Sequence, residues 1–163
     1  MIDGMKIALE EAQRAFDEDE VPVGACILKG NQIIGVGHNR REQKQEIISH
    51  AEIEAIHEAS RILGSWRLDG CDLYVTLEPC LMCAGAIIQA RIGKLFYGAK
   101  DPKTGVAGSI LNLFSEKLFN HCVEVYSGIY EERCSQILRK YFKMKREIGE
   151  VAELVEGARL EIE

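Results

Sequence analysis

Two short motifs constrain this chain more than any other feature of its sequence: SHAEIEA, which contains His50 and Glu52, and EPCLMCAG, which contains Cys80 and Cys83. Each motif stands at the start of a segment with helical periodicity. Side chains three positions apart share one helix face, so both thiols can reach one point in space. The unpaired N–H groups at a helix N-terminus also favour thiolate over thiol. The two motifs together indicate that two helix starts meet at one site.

The CxxC spacing by itself fits a redox dithiol as well as half of a metal site. A redox dithiol, however, needs neither a helix-opening histidine nor a carboxylate beside it. A catalytic zinc needs three protein ligands and an open position, and His50, Cys80 and Cys83 supply the three ligands. Zinc held in this way lowers the pKa of a bound water to roughly 7. We therefore predict a zinc site with these ligands and with Glu52 as the proton carrier beside the water.

A purely structural zinc site would require a fourth protein ligand. His38, His57 and Cys71 are conceivable fourth ligands, but none of them stands in a paired ligand spacing with the cluster. His50 could instead cap a helix, and Glu52 could complement a helix dipole. The combination of both motifs favours the catalytic interpretation over these structural ones.

The apolar pattern predicts the element order α-β-β-α-β-α-β-β-α. Lys29-Gly30-Asn31-Gln32 separates two β-rich segments and is typical of a hairpin turn. Residues 41–48 are polar and predict a loop, and the helix that contains Glu52 is expected to end at Gly64. Pro79 suits the first turn of the helix that carries the cysteines. This order predicts a mixed sheet with helices on both faces.

The length of 163 residues allows one domain with a substantial core. No segment approaches the roughly 18 apolar residues that a membrane span requires. The N-terminal segment lacks the basic-then-apolar layout of a secretion signal, so we expect a cytoplasmic protein with no membrane association. In a reducing compartment, solitary cysteines are usually small apolar fillers. This interpretation applies to four cysteines: Cys26, Cys71, Cys122 and Cys134.

The net charge of -6 is unevenly distributed along the chain. Residues 147–163 contain six Glu and one Arg, which leaves residues 1–146 near neutrality. The segment RKYFKMKR at 139–146 places five basic and two aromatic side chains directly before this acidic tail. We therefore predict a domain over 1–146 and an acidic C-terminal tail over 147–163, which either stays mobile or folds as a weak helix over the basic segment.

The His-x-Glu and Pro-Cys-x-x-Cys pattern resembles the zinc nucleobase deaminases. The resemblance extends over about residues 5–146 and is most specific for the bacterial tRNA-specific adenosine deaminases. The segments that carry it are VPVGA, GHNR, GSWRL, LYVTLEPCLMCAGA, RIGKLFYGAKDPKTGVAGS and FNH.

The resemblance implies a three-layer αβα sandwich with a mixed five-stranded sheet, as in the cytidine deaminases. It implies a homodimer with one zinc ion per subunit, held by His50, Cys80 and Cys83. It also implies that this enzyme deaminates the wobble adenosine of a tRNA anticodon stem-loop to inosine by hydrolysis. Glu52 would move a proton from the water to ring nitrogen 1 of adenine and then protonate the departing ammonia.

The resemblance also implies that Asn39 contacts the flipped nucleotide and that four further side chains touch the loop RNA: Arg67, Lys103, Phe142 and Arg146. Single-stranded loops are bound by stacking on aromatic and Arg planes and by basic groups at phosphates, which fits these residue types. Phe142 and Arg146 stand four apart and share one helix face. From the residues alone, Phe142 could equally be a core contact of the last helix.

The sequence departs from the family pattern just before the zinc ligand, where EIISH lacks the usual Thr-Ala and the upstream Pro. Two other functions stay open at this point. One is a deaminase of free nucleobases or nucleotides, of the guanine or cytosine type, and the other is a non-catalytic zinc RNA-binding module. The basic and aromatic last helix favours a polymeric substrate, and Glu52 favours turnover over binding alone.

Overall fold

A computed structural model of the chain describes residues 1–115 and 118–162, with side chains as far as residue 157. Five strands form one sheet in the order β2-β1-β3-β4-β5. Strand β1 pairs antiparallel with β2 and β3, whereas β3, β4 and β5 run parallel to one another. The predicted mixed five-stranded sheet is thereby confirmed. The strands span Gly24–Lys29 (β1), Gln32–His38 (β2), Cys71–Leu77 (β3), Lys94–Ala99 (β4) and Glu124–Tyr126 (β5).

Helices cover both faces of this sheet, which confirms the three-layer αβα architecture. The first and last helices pack on one face, and the helices that follow β2 and β3 pack on the other. None of the helices in the described part of the chain has a stretch long and apolar enough to cross a membrane. The helices span Gly4–Asp17 (α1), Arg41–Lys44 (α2), Ala51–Leu63 (α3), Leu81–Gln89 (α4) and Glu131–Ile162 (α5).

Strand β1 is buried on both of its faces because a helical layer lies on each side. Ala25 and Ile27 join the core cluster under α3 and α4, whereas Cys26 and Leu28 join the cluster under α1 and α5. A strand between two helical layers is apolar along its whole length rather than at alternate positions. This is why the sequence ACIL reads as one uninterrupted apolar run.

The predicted turn and helix end are both confirmed. Gly30 and Asn31 connect β1 to β2, and Gly30 adopts a φ of 59° in the left-handed region that glycine tolerates best. Helix α3 ends at Gly64, which is also left-handed.

Two local predictions differ from the structure. The polar segment 41–48 is not wholly a loop, because Arg41–Lys44 form the short helix α2. Pro79 does not lie in the first turn of α4, because Cys80 is the N-cap and has extended backbone angles (φ -80°, ψ 176°). Pro79 lies before the cap instead, where its missing N–H is likewise not needed for the helical hydrogen bonds.

The acidic tail continues helix α5 beyond Arg146 as far as Ile162, so it does not fold back over the basic segment. Oppositely charged side chains four positions apart, such as Arg146 and Glu150, support a helix across the boundary. Gly149 and Gly157 are the weak helix formers in this stretch, and the helix passes through both. Residues 147–157 are all exposed, so this part of α5 extends away from the sheet.

His38, at the end of β2, lies between the carboxylates of Glu11 on α1 and of Glu18, the C-cap of that helix. Its Nδ1 is 2.8 Å from Glu11 Oε2 and its Nε2 is 2.6 Å from Glu18 Oε2. The hydrogen bond to Glu11, followed by that to Glu18, raises the pKa of His38 above its usual value although burial opposes this. Nearby cations are Arg14, which pairs with Glu11, and Arg40, which acts on Glu18.

Replacing His38 with Gln is expected to lower the free energy of unfolding by about 1–2 kcal/mol at pH 6 and by much less at pH 9. A group whose folded pKa is raised contributes stability below its unfolded pKa, and that stability is lost as the pH rises through the folded value. Urea unfolding of both proteins at the two pH values measures the difference. An equal loss at pH 6 and pH 9 would show that the charged form of His38 contributes nothing.

Candidate active site

The first turns of α3 and α4 form the candidate site. His50 is the N-cap of α3 and Cys80 is the N-cap of α4, and both have extended backbone angles. Cys80 follows the end of β3 by three residues, and both helices pack on the same face of the sheet. Because α3 and α4 both begin on this face, their cap residues His50 and Cys80 lie in contact. The two motifs predicted this meeting of two helix starts.

The side chains of His50, Cys80 and Cys83 form a group that can hold a metal ion, with all three candidate ligand atoms within 4.8 Å of one another. His50 Nδ1 is 3.6 Å from Cys80 Sγ and 3.5 Å from Cys83 Sγ. A tetrahedral zinc with bonds of about 2.3 Å to sulfur and about 2.0–2.1 Å to nitrogen separates S from N by about 3.6 Å. The three side chains therefore fit zinc in both chemistry and spacing.

The side chains of His50, Cys80 and Cys83 shift one another's pKa values through hydrogen bonds. Hydrogen bonding from the Cys83 thiol, and then from His50, lowers the pKa of Cys80 to about 4. The same contact with Cys80 raises the pKa of Cys83, and the hydrogen bond to Cys80 raises the pKa of His50. A divalent metal takes the place of such protons when it binds, because its ligands must be deprotonated.

Glu52 lies in the first turn of α3 beside the ligand group and is only 4% exposed. Burial raises the pKa of this carboxyl to about 7. It belongs to no group of described side chains that could share a metal with His50, Cys80 and Cys83. A buried carboxyl whose pKa lies near neutrality can both accept and donate a proton at physiological pH.

A cavity of about 140 Å³ opens beside His50 and Glu52. Asn39 lines it and is nearly buried; its Nδ2 donates to the Val21 carbonyl at 3.3 Å, and its Oδ1 accepts from the Arg41 backbone N–H at 3.1 Å. A cavity of about 150 Å³ holds a benzene ring. The cavity is therefore of the size that receives a planar ring system.

The structure places Lys103 near this cavity and Arg67 far from it. Lys103 is exposed on the loop whose neighbouring residues Asp101 and Thr104 line the cavity. Arg67 lies in the connection after α3 and pairs with Asp69 at 2.9 Å. Helix α3 has 13 residues, so about 20 Å separates its two ends. One subunit therefore does not bring Arg67 to the cavity.

Phe142 and Arg146 lie on α5, on the opposite face of the sheet from α3 and α4, and neither lines the cavity. Phe142 is 45% exposed and makes an edge contact with the buried ring of Tyr141, 5.5 Å between centroids. Tyr141, not Phe142, is thus the aromatic core contact of this helix. Phe142 and Arg146 form an exposed aromatic and basic pair.

Two buried carboxylates beside the cavity escaped the sequence analysis. Glu20 is fully buried and accepts backbone hydrogen bonds from Glu42 at 3.0 Å and Gln43 at 3.1 Å, which holds α2 in place. Glu78 is 2% exposed and accepts several hydrogen bonds from the loop after β4. Glu78 ends the apolar run LYVTL, a signal that could have marked it, whereas Glu20 is one acid among several in DEDE.

Comparison with known proteins connects this geometry to a family. A family model described as MafB19-like deaminase matches residues 2–146. The tRNA-specific adenosine deaminase of Bacillus subtilis (strain 168) is 49% identical over 142 residues, which cover 87% of this chain and 88% of the relative. The tRNA-specific adenosine deaminase of Agrobacterium fabrum is 46% identical and covers 87% and 93%.

Solved structures with the same fold include a protein from a study of A-to-I editing by tRNA:A34 deaminases at the wobble position of transfer RNA. It is 46% identical, has a TM-score of 0.79 and covers 82% of this chain and 97% of its own. A guanine deaminase from Nitrosomonas europaea is 25% identical, with a TM-score of 0.74 and coverage of 84% and 81%.

Proposed function

The chain belongs to the family of tRNA-specific adenosine deaminases, and from this premise we propose that it deaminates the wobble adenosine of an anticodon loop with one zinc ion per subunit. Its reaction is hydrolytic: adenosine in tRNA and water give inosine and ammonia. The observation that supports the zinc assignment is the spacing of His50, Cys80 and Cys83, which matches tetrahedral ligands.

Zinc on these three ligands supplies a water acidic enough to act as a nucleophile near neutral pH. We propose that Glu52 carries the protons of the reaction. Its carboxylate accepts a proton as the water attacks carbon 6 of adenine, and it delivers this proton to ring nitrogen 1. It then accepts the proton of the new carbon 6 hydroxyl and passes it to the amino group, which leaves as ammonia as the carbon 6 carbonyl of inosine forms.

The cavity supports recognition of an extruded base. Deaminases act on a base that has left its stack and occupies a close-fitting pocket. The proposed contact of Asn39 with the flipped nucleotide agrees with its position on the cavity wall. Lys103 on the neighbouring loop is proposed to contact RNA at the rim, and Phe142 and Arg146 are proposed to bind the anticodon stem-loop farther from the reacting atoms.

We propose that the protein is a homodimer. Three segments near the site carry large exposed aliphatic side chains. One precedes His50, one follows Pro79, and one follows Val106, whose N–H donates to the Pro79 carbonyl. The exposed side chains are Ile47, Ile48, Leu81, Ile110 and Leu111. Contiguous exposed apolar surface is typical of a protein interface. A second subunit also offers a way for Arg67 to approach RNA held at the other subunit's cavity.

An anticodon stem-loop with adenosine at the wobble position tests this function. We expect purified protein to produce inosine at that position, and none when the only adenosine lies at another loop position. Free adenosine, guanine and cytidine serve as controls for the small-molecule alternative. Rapid deamination of a free base with no reaction on the stem-loop would contradict the proposal.

Arg146→Ala is expected to raise KM for the stem-loop more than it lowers kcat, because its proposed contact is remote from carbon 6. Loss of one phosphate contact should also reduce the slope of log affinity against log salt by about one. Binding titrations at several salt concentrations measure this slope. Arg139→Ala is the matched control, because the Arg139 guanidinium is held by Glu132 at 2.7 Å. An unchanged slope in Arg146→Ala would show that this side chain does not contact the RNA.

A further inference from the structure

We propose that the carboxylate of Glu78 is a positioning residue that fixes the rim loop, residues 101–109, beside the cavity. The rim loop contains two residues that line the cavity, Asp101 and Thr104, and between them the proposed RNA contact Lys103. The effect on RNA rests on the proposed function, whereas the effect on the loop itself does not. Glu78 also lines the cavity, and the hydrogen bonds of its carboxylate all go to the rim loop, so we assign it a role that acts through the loop.

The hydrogen bonds of Glu78 span the whole rim loop. Its Oε1 accepts from the Asp101 N–H at 3.1 Å and from the Ser109 hydroxyl. Its Oε2 accepts from the N–H groups of Ala107 at 2.9 Å and Ser109 at 3.1 Å. A carboxylate with four donors and no cation among them is held as an acceptor-only group. Both ends of the loop therefore meet on one buried side chain.

The rim loop packs directly against this carboxylate. A β-carbon at Gly105 would lie 2.3 Å from Glu78 Cδ, so only glycine permits this approach. The Val106 N–H donates to the Pro79 carbonyl at 3.0 Å, and the Tyr97 hydroxyl donates to the Ala107 carbonyl at 3.2 Å. These two contacts anchor the second half of the loop only.

In the first half of the rim loop, Glu78 accepts a hydrogen bond from the backbone of Asp101. Asp101 folds this half internally: its carboxylate accepts from the N–H groups of Lys103 and Thr104, both at 3.1 Å, and from the Thr104 hydroxyl at 2.6 Å. Among the described residues, the hydrogen bond that joins this turn to the rest of the domain is the one that the Asp101 N–H donates to Glu78.

Glu78→Gln tests the proposal with little change of shape. An amide offers one acceptor oxygen and one N–H₂ donor. Whichever way the amide turns, at least one backbone N–H of the rim loop loses its acceptor. We expect faster hydrogen–deuterium exchange at the amides of Asp101, Ala107 and Ser109, with zinc content unchanged. Ser109→Ala, which removes only the hydroxyl donor, should give a smaller change at the same amides. Glu10→Gln, an exposed change on α1, should give none.

The same variant is expected to raise KM for the wobble-adenosine stem-loop by roughly tenfold, the effect of losing one hydrogen bond to a charged buried group, while kcat falls less. A double-mutant cycle shows whether this effect passes through the rim. Lys103→Ala should raise KM in the wild-type background and have a smaller effect in the Glu78→Gln background.

Unchanged amide exchange in Glu78→Gln would overturn the proposal, as would a Lys103→Ala effect of equal size in both backgrounds. If wild-type protein fails to deaminate the stem-loop, the proposed function is wrong, and the exchange measurement still decides whether Glu78 holds the rim loop. Loss of zinc from Glu78→Gln would also overturn it, because the side chain would then support the metal site rather than the rim.

Discussion

Glu52→Ala is expected to lower kcat for the wobble-adenosine stem-loop by about 10²–10⁴-fold, the usual contribution of a positioned proton carrier. The carboxylate is buried beside His50, Cys80 and Cys83, yet the three ligand atoms that match a tetrahedral zinc do not include it. Zinc content should therefore stay near one ion per chain, and the melting temperature should change little. Single-turnover kinetics and metal analysis of the same preparation measure both quantities.

Glu54→Ala is the matched control for this variant. Glu54 lies two residues farther along α3, and its carboxylate pairs with Lys44 at 2.9 Å, away from the ligand group. We expect it to retain wild-type kcat and zinc. If Glu52→Ala lost its zinc, Glu52 would be a ligand rather than a proton carrier. Near-normal turnover with zinc retained would remove it from the reaction altogether.

Cys83→Ala is expected to lose zinc and thermal stability together, because a metal that binds only the folded chain stabilises it. With free zinc at about a thousand times its Kd, that stabilisation is about 4 kcal/mol. For a domain of this size, this corresponds to a fall in Tm of roughly 10 °C. Activity should fall to background. Thermal unfolding with and without a chelator measures the effect, and chelated wild-type protein should melt close to the variant.

Cys71→Ala is the matched control, since Cys71 is equally buried at the start of β3 and lies outside the ligand group. The same substitution there removes a core thiol and should leave zinc content unchanged. A Cys83→Ala protein with full zinc content and wild-type turnover would contradict a site built on three ligands.

The sequence predicted those parts of the site that depend on local spacing. His50 and Cys80 both cap helices, and a helix start places a side chain in a defined direction regardless of the rest of the fold. Glu52 follows from the same argument. The hairpin turn at Gly30 and the helix end at Gly64 are local signals of the same kind.

The features that the sequence did not predict depend on contacts between distant residues. The role of Glu78 at the rim depends on a loop 23 to 31 positions away, and no spacing rule marks such a partner. The distance of Arg67 from the cavity follows from the direction of α3 across the sheet. The continuation of α5 through the acidic tail depends on the balance of side-chain pairs and two glycines, which the charge pattern alone did not decide.

Zinc removal and restoration tests the central claim most directly. The protein is stripped of metal with a chelator, and one portion is then reloaded with a single equivalent of zinc. Both portions are incubated with a stem-loop whose wobble adenosine is isotopically labelled, and inosine is quantified by mass spectrometry. We predict that the stripped protein forms no inosine and that the reloaded protein recovers most of the original deamination rate. All of the inosine should lie at the wobble position. Equal deamination by the stripped and reloaded chains, or inosine at other positions, would contradict a zinc-dependent wobble adenosine deaminase.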